Sequence, residues 1–323
     1  MCTCITLKTK NHYFGRNLDL DYRFNESVVI TPRNYQFQLK NKTTMNTQYA
    51  IIGMATVIEN YPLYAEATNE KGLSMAGLYF PKNAHFFNER QEALNLTSYE
   101  LIPYFLGQYS TVAKVREEIS NLNITNIPFA DKIPVTDLHW MISDEKESIV
   151  IEQMKHGLKV YDNPFGVLTN NPPFEYHLTN INNYLNLSPR NEKDRFTKSY
   201  LECYGAGMGA IGLPGDNSPA SRFIRATFNK INSVCEEDEK SSVTQFFHIL
   251  DSVSMVQGTT ITAEEKYDIT TYSCCINTSK GIYYYKTYTN NQITAIRMKE
   301  NEKNKKELSI YHLNEEQQIK YEN

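Results

Sequence analysis

Turn formers and special residues are scarce in this chain of 323 residues: 12 prolines, 14 glycines and one tryptophan. With 41% apolar residues, that scarcity excludes collagen-like and disordered classes. A surplus of positive charge is also missing. The 33 Lys and Arg fall short of the 37 Asp and Glu, a net charge of −4. Nothing offsets a phosphate backbone, so no nucleic-acid partner is expected. Long apolar runs are absent too. The longest, Ala50–Ile58, is far short of the ~20 residues that cross a bilayer, so no membrane partner is expected. A secretory leader would need a basic start and an apolar stretch. The chain opens MCTCITLKTKNHYFGRN instead, and the expected location is cytoplasmic.

Metal-binding patterns are lacking as well. The seven histidines form no HxxxH or HExxH pair. Cys2 and Cys4 are one residue short of a CxxC knuckle, and Cys274 and Cys275 are adjacent, on opposite faces of any strand. Six reduced thiols and no zinc site are therefore expected.

The length alone allows about two domains at ~150 residues each. No repeat or low-complexity linker divides the chain, and the polar stretch Asn186–Thr197 reads as a surface loop, so a single domain over 1–323 is expected. Strand patterns dominate: Cys2–Leu7, Gln48–Val57, Gly72–Phe80, Ser148–Gln153 and Gly157–Tyr161. Gly281–Arg297 reads as a hairpin turning at Thr289-Asn290-Asn291, where Asn tolerates φ > 0. Helices are expected after a Thr97/Glu100 capping box with Pro103 in the second turn, over Thr111–Asn121, over Pro219–Val234 and after a Ser242 cap. Clustered strands with interspersed helices predict an α+β architecture.

Position singles out Cys2. Removal of Met1 would leave Cys2 with a free α-amine beside its own thiol, groups of unperturbed pKa about 8 and about 8.5. The amine then serves as base for the thiol, the strategy of an N-terminal nucleophile. Taken alone, a Cys here is an ordinary small core residue. Three further features point the same way. In Phe14-Gly15-Arg16-Asn17-Leu18-Asp19, Arg16 offers a cation to a thiolate and Asp19 an acceptor to the amine, if both side chains enter one pocket. In Thr169-Asn170-Asn171-Pro172-Pro173, an Asn amide suits an oxyanion. Arg222 falls in the first turn of the helix that starts at Pro219, where the helix dipole disfavours a cation, which suggests another task for it. Each feature alone is also an ordinary turn or solvated charge.

The ordered set MCT, GRNLD, AGLYFP, LHWMISD, GVLTNNP, GLPGD-x-x-PASRF and GIYYY resembles the choloylglycine hydrolase family, which contains bile salt hydrolases and penicillin V acylases. The resemblance covers nearly the whole chain. It implies an N-terminal nucleophile hydrolase with a four-layer αββα sandwich, two antiparallel sheets between helix layers. It further implies a bacterial cytoplasmic homotetramer that cleaves linear amide bonds without cofactor. Carried onto this chain, Cys2 is the nucleophile once Met1 is removed, with Arg16 and Asp19 beside it. Asn170 matches the oxyanion donor, and Arg222 supports the centre. Tyr79 stands where bile salt hydrolases usually carry Asn and penicillin V acylases Tyr, and its backbone N–H would be a second oxyanion donor. Leu18, Phe24, Phe129 and Ile133 are nominated as walls of an apolar acyl pocket. The implied substrates are glycine- or taurine-conjugated bile acids, or phenoxyacyl amides such as penicillin V. A non-catalytic protein that binds an apolar ligand remains as a different class.

Overall fold

The computed structural model describes residues 1–198 and 200–323. The chain begins with β1 (Cys2–Lys8), β2 (His12–Leu20), β3 (Ser27–Thr31), β4 (Gln36–Gln38), β5 (Thr44–Asn46), β6 (Ile51–Ile58), β7 (Tyr61–Asn69), β8 (Ser74–Tyr79) and β9 (Leu94–Thr97). Two helices follow, α1 (Leu101–Gln108) and α2 (Val112–Ile119), then β10 (Leu122–Thr125), β11 (Leu138–Ser143), β12 (Ser148–Met154), β13 (Gly157–Asp162) and β14 (Val167–Leu168). The second half holds α3 (Phe174–Asn180), α4 (Pro219–Asn232), α5 (Glu239–Asp251), β15 (Ile269–Asn277), β16 (Ile282–Thr287), β17 (Thr294–Arg297), α6 (Glu300–Lys303) and β18 (Ser309–His312).

Two antiparallel sheets form the body. The first has the order β14-β1-β2-β15-β16-β17 and the second β13-β12-β11-β8-β7-β6-β3-β18. Side-chain alternation in the second sheet decides the layering. Val28, Ile30, Ile52, Met54, Met141 and Val150 join one core, shared with the first sheet and with α3, α4 and α5. Their neighbours Val29, Ile51, Trp140, Ile142, Ile149 and Ile151 join the other, under α1 and α2. The layers are thus helix, sheet, sheet, helix, the expected αββα sandwich.

Several local expectations needed correction. Thr97 closes β9, and α1 starts only at Leu101 with Glu100 as its N-cap. The Glu half of the expected box is present, the Glu100 carboxylate accepting Thr97 N–H at 2.8 Å, and α1 is the expected LIPYFLGQ segment. Pro103 therefore lies in the first helical turn, where a missing N–H costs nothing. Ser242 is buried inside α5, whose N-cap is Asp238. The loop between β16 and β17 is longer than three residues, and neither Asn290 nor Asn291 takes a positive φ. Asn290 is instead buried, its side chain donating to Asn314 O at 3.1 Å and accepting from Gln292 N at 3.0 Å.

Strands β2 and β15 carry the site yet lack a clean alternation. Every residue of β2 but the last is buried, Arg16, Asn17 and Asp19 included, because both of its faces are covered. Gly15 is required there by close approach: a Cβ would lie 2.1 Å from Cys274 O on β15. Gly15→Ala should therefore destabilise the protein by about 1–3 kcal/mol or more, read as a lower urea midpoint at unchanged slope.

Candidate active site

Register places Cys2 opposite Leu18, and Leu18 opposite Tyr272 on β15. The face that carries these side chains, together with Cys4, Arg16 and Cys274, looks toward the second sheet. The other face, with Thr3, Asn17 and Asp19, looks toward α4 and α5. Arg16 and Asp19 thus do not point into one pocket from a turn. They are three apart in a strand and leave it on opposite sides.

Between the sheets, Arg16 fills the gap where β7 and β8 part. The recorded ladder of these strands ends at the Glu66–Ala76 pair. Beyond it, Arg16 Nη1 donates to Gly77 O at 2.6 Å and to Ala65 O at 3.3 Å, and Nε lies 3.8 Å from Glu66 Oε2. Glu66 also accepts from Tyr272 OH at 2.8 Å and from Tyr283 OH. Burial works against the charge of Arg16. The acidic groups around it, Cys2, Tyr272, Glu66 and Cys4, outweigh it and hold the guanidinium above its ordinary value. Burial likewise pushes the Glu66 carboxyl up, partly offset by Arg16 and the two phenols. Arg16 Nη2 is buried and has no hydrogen-bond partner.

On the helix side, α4 begins with Ser218 as N-cap and Pro219 as its first residue. Its first turn aims Arg222 at β1 rather than at solvent. The guanidinium donates to Cys2 O, to Thr3 Oγ1, to Asn170 Oδ1 at 2.9 Å and to Asn217 O at 3.0 Å. It lies 3.9 Å from Asp19 Oδ2, and both side chains are fully buried. Burial pulls Arg222 down and pushes Asp19 up, each offset by the charge of the other. Asp19 Oδ1 accepts from Thr270 Oγ1 at 2.6 Å, at a register shift in β15, while Oδ2 has no hydrogen-bond partner.

Asn170 ties these parts together. Its Oδ1 accepts Cys2 N–H at 2.8 Å, and its Nδ2 donates to Tyr79 O at 2.7 Å. The ladder also decides where Tyr79 N–H points. Phe80 N–H donates to Asp137 O at 2.8 Å, so the adjacent Tyr79–Leu138 pair is a non-hydrogen-bonded one. Both backbone polar groups of Tyr79 therefore face away from β11, on the side of Asn170. The Tyr79 side chain is 45% exposed. The Met1 amine donates to Asp19 O and lies 3.2 Å from Asp268 Oδ2, and Met1 O accepts Asp19 N–H at 2.8 Å.

The structure thus gathers Cys2, Arg16, Asp19, Tyr79, Asn170 and Arg222 around the start of β1. Of the nominated wall residues, Leu18 is the cross-strand neighbour of Cys2. Phe24 follows β2 and is half-buried beside Tyr22, ring centroids 6.2 Å apart. Phe129 packs tilted against Tyr61 and edge-to-face against Tyr99, centroids 5.4 and 5.1 Å away, and Ile133 N–H turns back to Ala130 O at 2.9 Å, both before β11. Glu66, Thr270, Tyr272 and Tyr283 were not anticipated. The one signal for Glu66 is a carboxylate between alanines in a strand. Among the described residues no group of three His, Cys, Asp or Glu is placed to hold a metal ion.

Residues 2–311 match the model of the family described as linear amide C–N hydrolases, choloylglycine hydrolase family. The chain is 47% identical to a bile salt hydrolase/transferase of Lactiplantibacillus plantarum, over 98% of each chain. A solved variant of the conjugated bile acid hydrolase from Clostridium perfringens superposes with a TM-score of 0.92 at 43% identity, over 100% of both chains. A penicillin V acylase from Agrobacterium tumefaciens shares the fold with a TM-score of 0.73 at 17% identity, over 92% of this chain and 86% of that one.

Two buried histidines give a pH prediction. Burial lowers His12 and His177 from 6.5 to about 4. Between those values the unfolded chain binds more protons than the folded one. Their contribution to stability is complete above pH 6.5 and is lost as the pH falls to about 4. The urea midpoint should drop across this window, and His12→Gln should make the drop shallower.

Proposed function

The chain belongs to the choloylglycine hydrolase family of linear amide C–N hydrolases, and we propose that it hydrolyses the amide bond of glycine- or taurine-conjugated bile acids through Cys2. The observation that carries the mechanism is the contact of Cys2 N with Asn170 Oδ1, whose Nδ2 reaches Tyr79 O. One amide side chain thereby joins the future α-amine to the future oxyanion donors.

Removal of Met1 converts Cys2 N into a free amine. It also releases the backbone N–H and C=O of Asp19, which Met1 now occupies. The amine takes the Cys2 thiol proton, and the thiolate attacks the amide carbon. The oxyanion accepts from the second N–H of Asn170 Nδ2 and from Tyr79 N–H. Arg16, on the thiol side, provides positive potential and an unpaired N–H at Nη2. The amine then protonates the leaving glycine or taurine nitrogen as the C–N bond breaks, leaving a thioester. Water, deprotonated by the same amine, cleaves the thioester to the free bile acid. Asp19 and Arg222 hold the start of β1 in place, and the site needs no cofactor.

The relatives' names support bile conjugates as the substrate. Tyr79 favours a second reading, penicillin V cleavage to phenoxyacetate and 6-aminopenicillanic acid. Its large side chain stands half exposed at the end of β8, where the bile salt branch usually carries Asn. Leu18, Phe24, Phe129 and Ile133 are proposed to line the acyl pocket in either case. A homotetramer is supported by exposed apolar side chains between 185 and 211, among them Leu185, Phe196, Tyr204 and Ile211. Among the described residues no helix is long and apolar enough to cross a membrane. A cytoplasmic location is proposed.

The intact mass of the purified protein should lack one Met. Glycocholate and taurocholate should be cleaved well above penicillin V, and Cys2→Ala should lower the rate at least about 10³-fold. Iodoacetamide at neutral pH should modify Cys2 faster than Cys203 or Cys235, and spare Cys4, Cys274 and Cys275, whose buried thiols are pushed up. Equal rates in wild type and Cys2→Ala would remove the nucleophile. A preference for penicillin V would select the acylase reading. Retained Met1 without turnover would leave a binding protein.

A further inference from the structure

Behind the Asn170 loop lies a second buried cluster that this mechanism does not use. The register of β11 and β12 sets His139 directly across from Glu152, and both are fully buried. His139 Nδ1 lies 2.9 Å from Glu152 Oε1, and that same oxygen accepts Phe174 N–H, at the start of α3, at 2.9 Å. His139 Nε2 lies 3.0 Å from Thr169 O. A carbonyl only accepts, so Nε2 carries a proton. Oε1 takes a second donor from the backbone, Oε2 is buried with no hydrogen-bond partner, and one proton joins Nδ1 to Oε1. Phe80 stacks on the ring at 4.3 Å with 4° between the planes, which fixes its orientation.

This arrangement acts on one residue. Thr169 O is held by His139, and the next carbonyl, that of Asn170, accepts from His177 Nε2 at 3.1 Å. His177 in turn stacks on Phe223 of α4, next to Arg222, at 4.8 Å. Thr169 Oγ1 donates to Pro219 O, in the first turn of α4, at 2.9 Å. Two successive peptide carbonyls at Asn170 are thus each gripped by an imidazole.

We propose that His139 and Glu152 are a positioning pair, a buried hydrogen-bonded brace that sets the Asn170 amide against the reacting carbonyl oxygen. The proposal rests on the amide-hydrolase reading of Cys2 and Asn170. His139 on β11 is joined to Glu152 of β12 and to the Asn170 loop, and Glu152 in turn holds Phe174 N–H at the start of α3. Loss of the brace lets the amide drift. A misplacement of about 1 Å in a catalytic group costs up to about 10²-fold in rate.

Glu152→Gln keeps the size of the side chain and an acceptor for Phe174 N–H while removing the acid group. Its kcat on glycocholate should fall about 10- to 100-fold with KM changed less than about twofold. Alkylation of Cys2 by iodoacetamide should stay within about twofold of wild type, because that displacement forms no oxyanion. Glu100→Gln removes another buried carboxylate, one bound to Lys40 N and Thr97 N in the far layer, and should keep the wild-type kcat. An unchanged kcat in Glu152→Gln would overturn the proposal, and so would kcat and alkylation falling together. An independent arm uses the wild-type protein with ¹⁵N-labelled histidine. A protonated Nε2 is expected at His139, and an unprotonated Nε2 would overturn the brace. A wild-type chain that fails to cleave glycocholate would count against the amide-hydrolase reading, whereas the brace falls only on the variant-to-wild-type ratio or on the nitrogen spectrum.

Discussion

One buried guanidinium, that of Arg222, is the constraint around which the site is assembled. Removing an arginine from water costs several kcal/mol unless its donors and its charge are matched. Here the acceptors come from Cys2, Thr3, Asn170 and Asn217, with Asp19 as the nearby anion. These residues lie on β1, on β2, in the loop after β14 and just ahead of α4. The helix cannot settle on the first sheet until all of them are in place. Assembly of the site and burial of this charge are one event.

A second cation does the same job on the other face. Arg16 crosses from the first sheet to carbonyls of the second and meets Glu66, itself held by Tyr272 and Tyr283. The start of β1 is thus held between two opposite-sided ion pairs, Arg16 with Glu66 and Arg222 with Asp19. Each pair confines its charge by burial. Cys2 lies where both potentials act and where neither guanidinium can be swung away by solvent.

The apolar runs were readable because a strand buried between two apolar layers is a nearly continuous apolar stretch, as Ile51–Ile58 and Ser148–Met154 are. β2 was not, since a strand covered on both faces by a polar interlayer and by helices has no period to show. Arg222 left a trace, a cation against the helix dipole, and its contacts explain the conflict. Asn170 was marked by the Asn-Pro-Pro stretch that follows it. Glu66, His139 and Glu152 left little, because a buried carboxylate or imidazole in a strand looks like an exposed one until its partner in another strand or layer is known. The direction of Tyr79 N–H could not be read at all. Every residue but proline has such a group, and only the pairing with β11 decides which way this one faces.

The lack of alternation in β2 also bears on how the chain finds its register. Most strands are aligned by their apolar face, since a slip of one residue turns that face to water. β2 has little such penalty to exploit, because polar and apolar residues are buried on both sides. A slip would trade Arg16 for Asp19 across the sheet and dismantle both ion pairs. Gly15 supplies the missing alignment key: the Cys274 carbonyl admits no side chain at that position. Slipped pairings of β2 with β15 would bring Phe14 or Arg16 under that carbonyl and are refused on steric grounds, before any charge has found its partner.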